Sequence, residues 1–307
     1  MTVVLETHGL RKVYGKITAL KGLDLEVHKG EVFGFLGPNG AGKTTFTKCV
    51  TGFVRPTAGS VSILGIDAVR NAPKAAHHIG LVPDQYDFYP NLTGRQHLDF
   101  YGRLLGIPTG ERRDRIAEVL ATVRMEERAD SKTKGYSHGM KQRICIGQAI
   151  LHQPELILFD EPTNGLDPQG AYELRQLIKS LAHDGTTVFL NSHLLNEVEQ
   201  TCERVAILNK GELLDVAAVK DLQARASKGG GTVQVQVLNP SKKLAVAAVK
   251  VVPAAKLDGD NVTFVGGPEA TAEVVAAVVG AGGKVVAVRS SAANLESAFL
   301  DLIKEDA

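Results

Sequence analysis

The run Gly37-Pro38-Asn39-Gly40-Ala41-Gly42-Lys43-Thr44 fits the pattern GxxxxGK(S/T) and commits this chain to an α/β fold. It follows the apolar run Val32 to Leu36 directly and precedes residues that can continue as a helix, so the expected local order is strand, loop, helix. The glycines let the backbone bend so that successive N–H groups, from Asn39, Gly40, Ala41 and Gly42 on to Lys43, Thr44 and Thr45, converge on a phosphate at the positive end of a helix dipole. Lys43 is expected to neutralise the β and γ oxygens of a nucleoside triphosphate, and the Thr44 hydroxyl to ligate magnesium.

Further along the chain, Leu156-Ile157-Leu158-Phe159-Asp160-Glu161 is an apolar run that ends in two adjacent carboxylates. Burying such a pair without compensation would force it to protonate, so the charges need a purpose. Asp160 fits a magnesium partner acting through water, and Glu161 fits a general base that polarises an attacking water. Taken alone, a strand-terminal Asp-Glu also suits a helix cap. The phosphate loop upstream favours the catalytic reading.

Around these two motifs, short β-rich runs alternate with helical periodicity as far as about residue 217. Val3 to Thr7, Leu23 to Val27 and Val32 to Leu36 read as strands, with Lys29-Gly30 as a turn. Leu156 to Phe159 and Thr187 to Leu190 lack alternation, as strands covered on both faces of a mostly parallel sheet should. Between about 92 and 152 the strands vanish, and Leu98, Tyr101 and Leu105, then Ile116, Val119 and Leu120, then Ile144, Gly147 and Leu151 keep helical spacing. Ser227-Lys228-Gly229-Gly230-Gly231 reads as a linker between domains at 1–226 and 232–307. The second domain follows the order β-α-β-β-α-β of a small ferredoxin-like α+β fold, and Leu295, Ala298, Phe299, Leu302 and Ile303 predict an amphipathic final helix.

Composition narrows the class. The 35 Lys and Arg nearly cancel the 34 Asp and Glu among 307 residues, so no global field favours nucleic acid or an acidic surface. The three cysteines, at 49, 145 and 202, form no CxxC pair and fit a reducing compartment. Met1 to Leu10 lacks the pattern of a signal peptide. The most apolar stretch, Ala272 to Val288, contains Glu273, Lys284 and Gly282-Gly283, and falls short of the roughly 20 apolar residues of a membrane span.

These residues resemble the ABC ATPase family over roughly residues 2 to 217, with Tyr136-Ser137-His138-Gly139-Met140-Lys141-Gln142-Arg143 where that family has its signature loop. The loop departs from the commonest LSGGQ form at Tyr136, His138 and Met140, while Ser137 and Gly139 keep a hydroxyl, open backbone N–H groups and a helix N-terminus. Ser137 also suits a plain N-cap.

The resemblance implies a phosphate-loop core with an antiparallel β subdomain and a helical subdomain, ATP and Mg2+ as ligands, and ATP hydrolysis. It places Asp167 in the loop that communicates across a dimer, His193 as the switch histidine at the γ-phosphate, and Tyr14 on the adenine ring. In Ile79-Gly80-Leu81-Val82-Pro83-Asp84-Gln85 the family's glutamine position falls on Asp84, with Gln85 one residue later, and either could serve magnesium. It further implies that Ser137, His138, Gly139 and Met140 close over the nucleotide of a facing subunit in a head-to-tail homodimer or heterodimer. A separate transmembrane permease would be the partner, on the cytoplasmic face of the membrane, and Tyr86 to Pro90 would border its groove. The sequence GPNGAGKTT, the YSHGM loop and a C-terminal Leu-Glu-x-x-Phe-Leu resemble the exporter branch; an importer subunit and a soluble ABC ATPase of nucleic acid or ribosomes are the alternatives.

Overall fold

A strand buried on both faces must be covered on both, and the apolar runs that lead to Leu36, Asp160 and Ser192 obey this rule. The computed structural model of the chain describes residues 2–228 and 231–290. Its elements begin with β1 (Val3–Tyr14), β2 (Ile17–His28), β3 (Val32–Leu36), α1 (Lys43–Val50), β4 (Ala58–Ile63), β5 (Ile66–Asp67), α2 (Ala72–Ala76) and β6 (Ile79–Val82). Three helices follow, α3 (Gly94–Leu104), α4 (Thr109–Thr122) and α5 (His138–Ile150). The chain then alternates again through β7 (Leu156–Asp160), α6 (Pro168–His183), β8 (Thr187–Ser192), α7 (Leu195–Thr201), β9 (Arg204–Asn209), β10 (Glu212–Ala218) and α8 (Val219–Lys228). It ends with β11 (Gly231–Val237), α9 (Lys242–Val251), β12 (Lys256–Asp258), β13 (Asn261–Gly266), α10 (Pro268–Gly280) and β14 (Val285–Ser290).

The central sheet has the order β10-β9-β3-β8-β7-β6, and the pairs β9–β3, β3–β8, β8–β7 and β7–β6 are parallel. Phe33, Phe35 and Phe189 form one face of it and receive Phe46 of α1, with Phe35 and Phe46 centroids 4.6 Å apart. On the other face Gly34 admits α7: a Cβ there would lie 2.9 Å from Val198 Cγ1 and 3.1 Å from Cys202 Sγ. The helix that carries the phosphate loop is thus fixed to the strand that precedes it by aromatic packing. A second, antiparallel sheet of order β2-β1-β4-β5 adds Leu5, Leu10, Leu23, Leu25 and Ile63 to the same core.

The helical segment matches the periodicity read from the sequence. Thr93 and Gln96 form a reciprocal capping box at the start of α3. Gly147 of α5 lets α4 approach closely, since a Cβ there would meet Val119 Cγ1 at 2.9 Å. Arg112 is buried and donates from Nε to Asp99 Oδ1 at 2.7 Å and from Nη1 to Ile107 O at 2.6 Å.

The chain divides into two compact units, the first ending at Val216 and the second beginning at Ala217. The expected linker lies ten residues later. Ser227 and Lys228 complete α8, Gly231 opens β11, and Gly229 and Gly230 fall outside the described residues. A boundary at 226 leaves α8 with the first unit, whereas by compactness it groups with the second. The second unit has the expected β-α-β-β-α-β order in an antiparallel sheet of order β12-β13-β11-β14, with Val233, Val235 and Val237 buried in its core. The expected final helix from Leu295 to Ile303 lies outside the described residues. Among the described residues no helix is long and apolar enough to cross a membrane.

Candidate active site

Because β3, β8, β7 and β6 run parallel, their carboxyl ends share one edge of the sheet, where doubly wound folds bind ligands. A cavity of ≈ 920 Å³ lies there. Of the residues singled out in the sequence, Asn39, Gly40, Gly42, Lys43, Thr44, Thr45, Asp84, Gln85, Asp160, Glu161 and His193 line it. Ala41 is buried behind the loop.

The loop between β3 and α1 holds a shape that side chains would break. Gly40 and Gly42 have φ of 83° and 113°, and a Cβ on Gly37 would fall 2.3 Å from the Leu208 carbonyl oxygen. Gly42 gives α1 no side-chain cap, so the first-turn N–H groups keep their capacity for an anion. Lys43 is only 6% exposed; its Nζ donates to Gly37 O at 2.8 Å and lies 3.4 Å from Glu161 Oε1. The loop therefore holds its own cation against the space a phosphate would enter.

Glu161 has a φ of 50°, a left-handed conformation that costs a non-glycine residue free energy and recurs at active sites. The Glu161 N–H donates to Asn191 O at 2.8 Å. The Glu161 Oε2 accepts from the His193 N–H at 3.2 Å and lies 2.8 Å from His193 Nδ1. A carboxylate, an imidazole and an ammonium thus meet within one cluster, as a base with its orienting partner requires.

Asp160 ends β7 and accepts from Asn191 Nδ2 at 2.5 Å. Burial pushes its pKa up, the Asn191 hydrogen bond opposes this, and the charges of Glu161 and Asp84 push it up further. A divalent cation would reverse that strain. The donor set suits magnesium: Thr44, Asp160, Asp84 and Gln85 offer hard oxygens, and Asn191 Oδ1 is buried without a hydrogen-bond partner beside them. Among the described residues no three His, Cys, Asp or Glu side chains cluster as a metal cage.

Other expected residues stand apart from the cavity. Tyr14 is 44% exposed at the end of β1, with Lys12 Nζ 4.9 Å from its ring centroid, and does not line the cavity. Ile17, Thr18 and Ala19, just after it, do. Ser137 caps α5, its Oγ accepting from the Met140 N–H at 3.3 Å, and Asp167 caps α6, accepting from the Gly170 N–H at 3.0 Å. Ser137, His138, Gly139, Met140 and Asp167 all lie outside this chain's own cavity.

The sequence reading missed Asn191, Asn164 and Lys210. The signal for Asn191 was a polar residue continuing the apolar run Thr187 to Leu190; it is 1% exposed. Asn164 lines the cavity and donates from Nδ2 to Asp84 Oδ1 at 3.1 Å. Lys210, with φ 44°, lines it from the turn between β9 and β10.

The same architecture recurs in known proteins. A family profile described as ABC transporter matches residues 20–164. The linearmycin resistance ATP-binding protein of Bacillus subtilis is 41% identical over 230 residues, 75% of this chain and 73% of that protein. This chain belongs to the ABC transporter ATP-binding subunits. The Nod factor export ATP-binding protein I of Cupriavidus metallidurans is 32% identical over 302 residues, 98% of each chain. A dimeric ATP-binding cassette solved in a post-hydrolysis state with ADP and phosphate is 30% identical, with a TM-score of 0.62 over 70% of this chain and 98% of the other. As an ABC ATPase subunit the protein binds and hydrolyses ATP.

Proposed function

We propose that this ATPase subunit drives a separate transmembrane permease for export, working as a head-to-tail pair with two MgATP at its interface. The observation that carries the hydrolytic half is the cluster of Lys43, Glu161 and His193, in which Glu161 Oε2 lies 2.8 Å from His193 Nδ1 and Oε1 lies 3.4 Å from Lys43 Nζ. In this reading the loop from Gly37 to Thr45 cradles the phosphates and Lys43 turns toward the β and γ oxygens. Glu161 takes the proton of the attacking water, and His193 orients both Glu161 and that water.

Thr44 and Asp160 would hold magnesium, with Asp84 rather than Gln85 as the third oxygen, because the Asp84 carboxylate is near enough to Asp160 to raise its pKa. Bound magnesium neutralises charge on the β and γ oxygens. Asn191 holds Asp160 toward it. Tyr14, close in sequence to the cavity-lining Ile17, stacks on the adenine once nucleotide is present.

Ser137 to Met140 lie outside the chain's own cavity, which supports their use on the nucleotide of a facing subunit. Asp167 sits at the same interface. Export is supported by the relative named for Nod factor export, which aligns over 98% of this chain including the second unit. The permease would hold the subunit at the cytoplasmic face of the membrane.

Mixing tests the arrangement. Lys43→Ala and Ser137→Arg subunits are each expected to be inactive, and an equal mixture to regain turnover, because each mixed pair holds one composite site with both motifs intact. Failure to regain turnover, with both proteins folded, contradicts the head-to-tail pair. Co-purification of a multi-span membrane protein with the tagged chain tests the permease; its consistent absence contradicts that partner.

A further inference from the structure

His193 follows the carboxyl end of β8 and stands two residues ahead of α7, so its aim depends on how that helix is held. A helix of seven residues is too short to hold itself, and α7 has no side-chain cap at Leu194. Two anchors act on it. Val198 is fully buried where Gly34 of β3 admits it, which presses α7 onto the sheet but sets no direction. The second anchor is directional: Arg175 Nη1 of α6 donates to Glu197 Oε1 at 2.8 Å.

This ion pair is shielded, with the Arg175 and Glu197 side chains only 16% and 14% exposed. Its base is firm, because Leu174 and Ile178 on either side of Arg175 are buried and α6 packs on β8, the strand that leads to His193. Its far end is close to the chemistry. The Glu197 N–H donates to Leu194 O at 3.2 Å, so a shift of Glu197 reaches the neighbour of His193 within one turn. Neither Arg175 nor Glu197 lines the nucleotide cavity. A shielded ion pair adds little stability over apolar residues of the same size; what it adds here is direction. The tolerance at the site is narrow, since His193 Nδ1 lies 2.8 Å from Glu161 Oε2 and a misplacement of about 1 Å can cost about 10²-fold in rate.

We infer that Arg175 and Glu197 are positioning residues that aim His193 at Glu161 by fixing α7 against α6, without touching nucleotide. The inference rests on the reading of Glu161 as the base and His193 as its orienting partner.

Steady-state ATPase kinetics and melting temperatures of the full-length chain test it. Arg175→Met leaves the Glu197 carboxylate shielded and unpaired; kcat should fall about tenfold and the melting temperature should drop, while KM for MgATP stays within about twofold. Arg175→Met together with Glu197→Leu replaces the pair by apolar groups. That double variant should regain the wild-type melting temperature while its kcat stays about tenfold low, a separation that a merely structural pair would not produce. Arg175→Lys, which keeps a charged donor, should regain most of the lost turnover. The inference is overturned if the double variant recovers turnover along with its stability, if KM rises as kcat falls, or if folded Arg175→Lys is as slow as Arg175→Met. His193→Ala separates this inference from the reading beneath it. Wild-type turnover in His193→Ala overturns both, whereas an inactive His193→Ala beside a fully active double variant overturns the role of the ion pair alone.

Discussion

Asn191 shows how a residue without a motif enters the chemistry. Its Nδ2 donates to Asp160 while its Oδ1 lies buried and unmatched, so it orients the carboxylate that would face magnesium. Asn191→Ala is expected to raise the magnesium concentration for half-maximal hydrolysis by about tenfold, the usual scale for loss of a group that orients a metal ligand, while ATP affinity measured without metal stays close to wild type. That Lys43, Thr44, Asp160 and Glu161 share one cavity was legible because each belongs to a contiguous string at the end of an apolar run. Asn191 and Asn164 were not, because their roles depend on β7 lying beside β8 and on the turn after Glu161 folding back toward Asp84. The choice between Asp84 and Gln85 could not be read from spacing either; both line the cavity, and Asp84 accepts from Asn164 Nδ2 there.

Elements fix the site through packing far from solvent. Phe46 holds α1 against Phe35 and Phe189, and it is fully buried. Phe46→Ala should destabilise the fold by about 3–5 kcal/mol, measured by urea denaturation, and should loosen the loop that α1 anchors. Another test lies in the helical segment. The Arg112 hydrogen bond, aided by Arg103, holds the Asp99 pKa below the usual carboxylate range. A depressed carboxylate contributes stability that is present above its unfolded pKa of about 3.9 and is lost as pH falls through the folded value. Asp99→Asn should therefore unfold more readily than wild type at pH 7, and the difference should begin to narrow at about pH 4 and close once pH falls below the folded pKa. Strand and helix identity was legible here because buried runs and 3.6-residue spacing are local. The 12-residue lengths of β1 and β2 were not, since their register shifts and exposed outer ends interrupt the apolar pattern.

For the whole molecule, the ferredoxin-like second unit was legible from element order alone, and the structure supplies its strand order. The division between the units was not: Ser227 to Gly231 has the composition of a linker, but the helical pattern of α8 runs through Lys228. In the proposed mechanism Glu161 of the first unit is the base of an ATPase whose two nucleotides are shared between two subunits. Glu161→Gln keeps the shape of the side chain and removes the base. With MgATP the variant should bind nucleotide as tightly as wild type, lose turnover by about 10²–10⁴-fold, and accumulate by light scattering as a dimer holding two ATP. A variant that hydrolyses at the wild-type rate and stays monomeric with ATP bound would contradict the account.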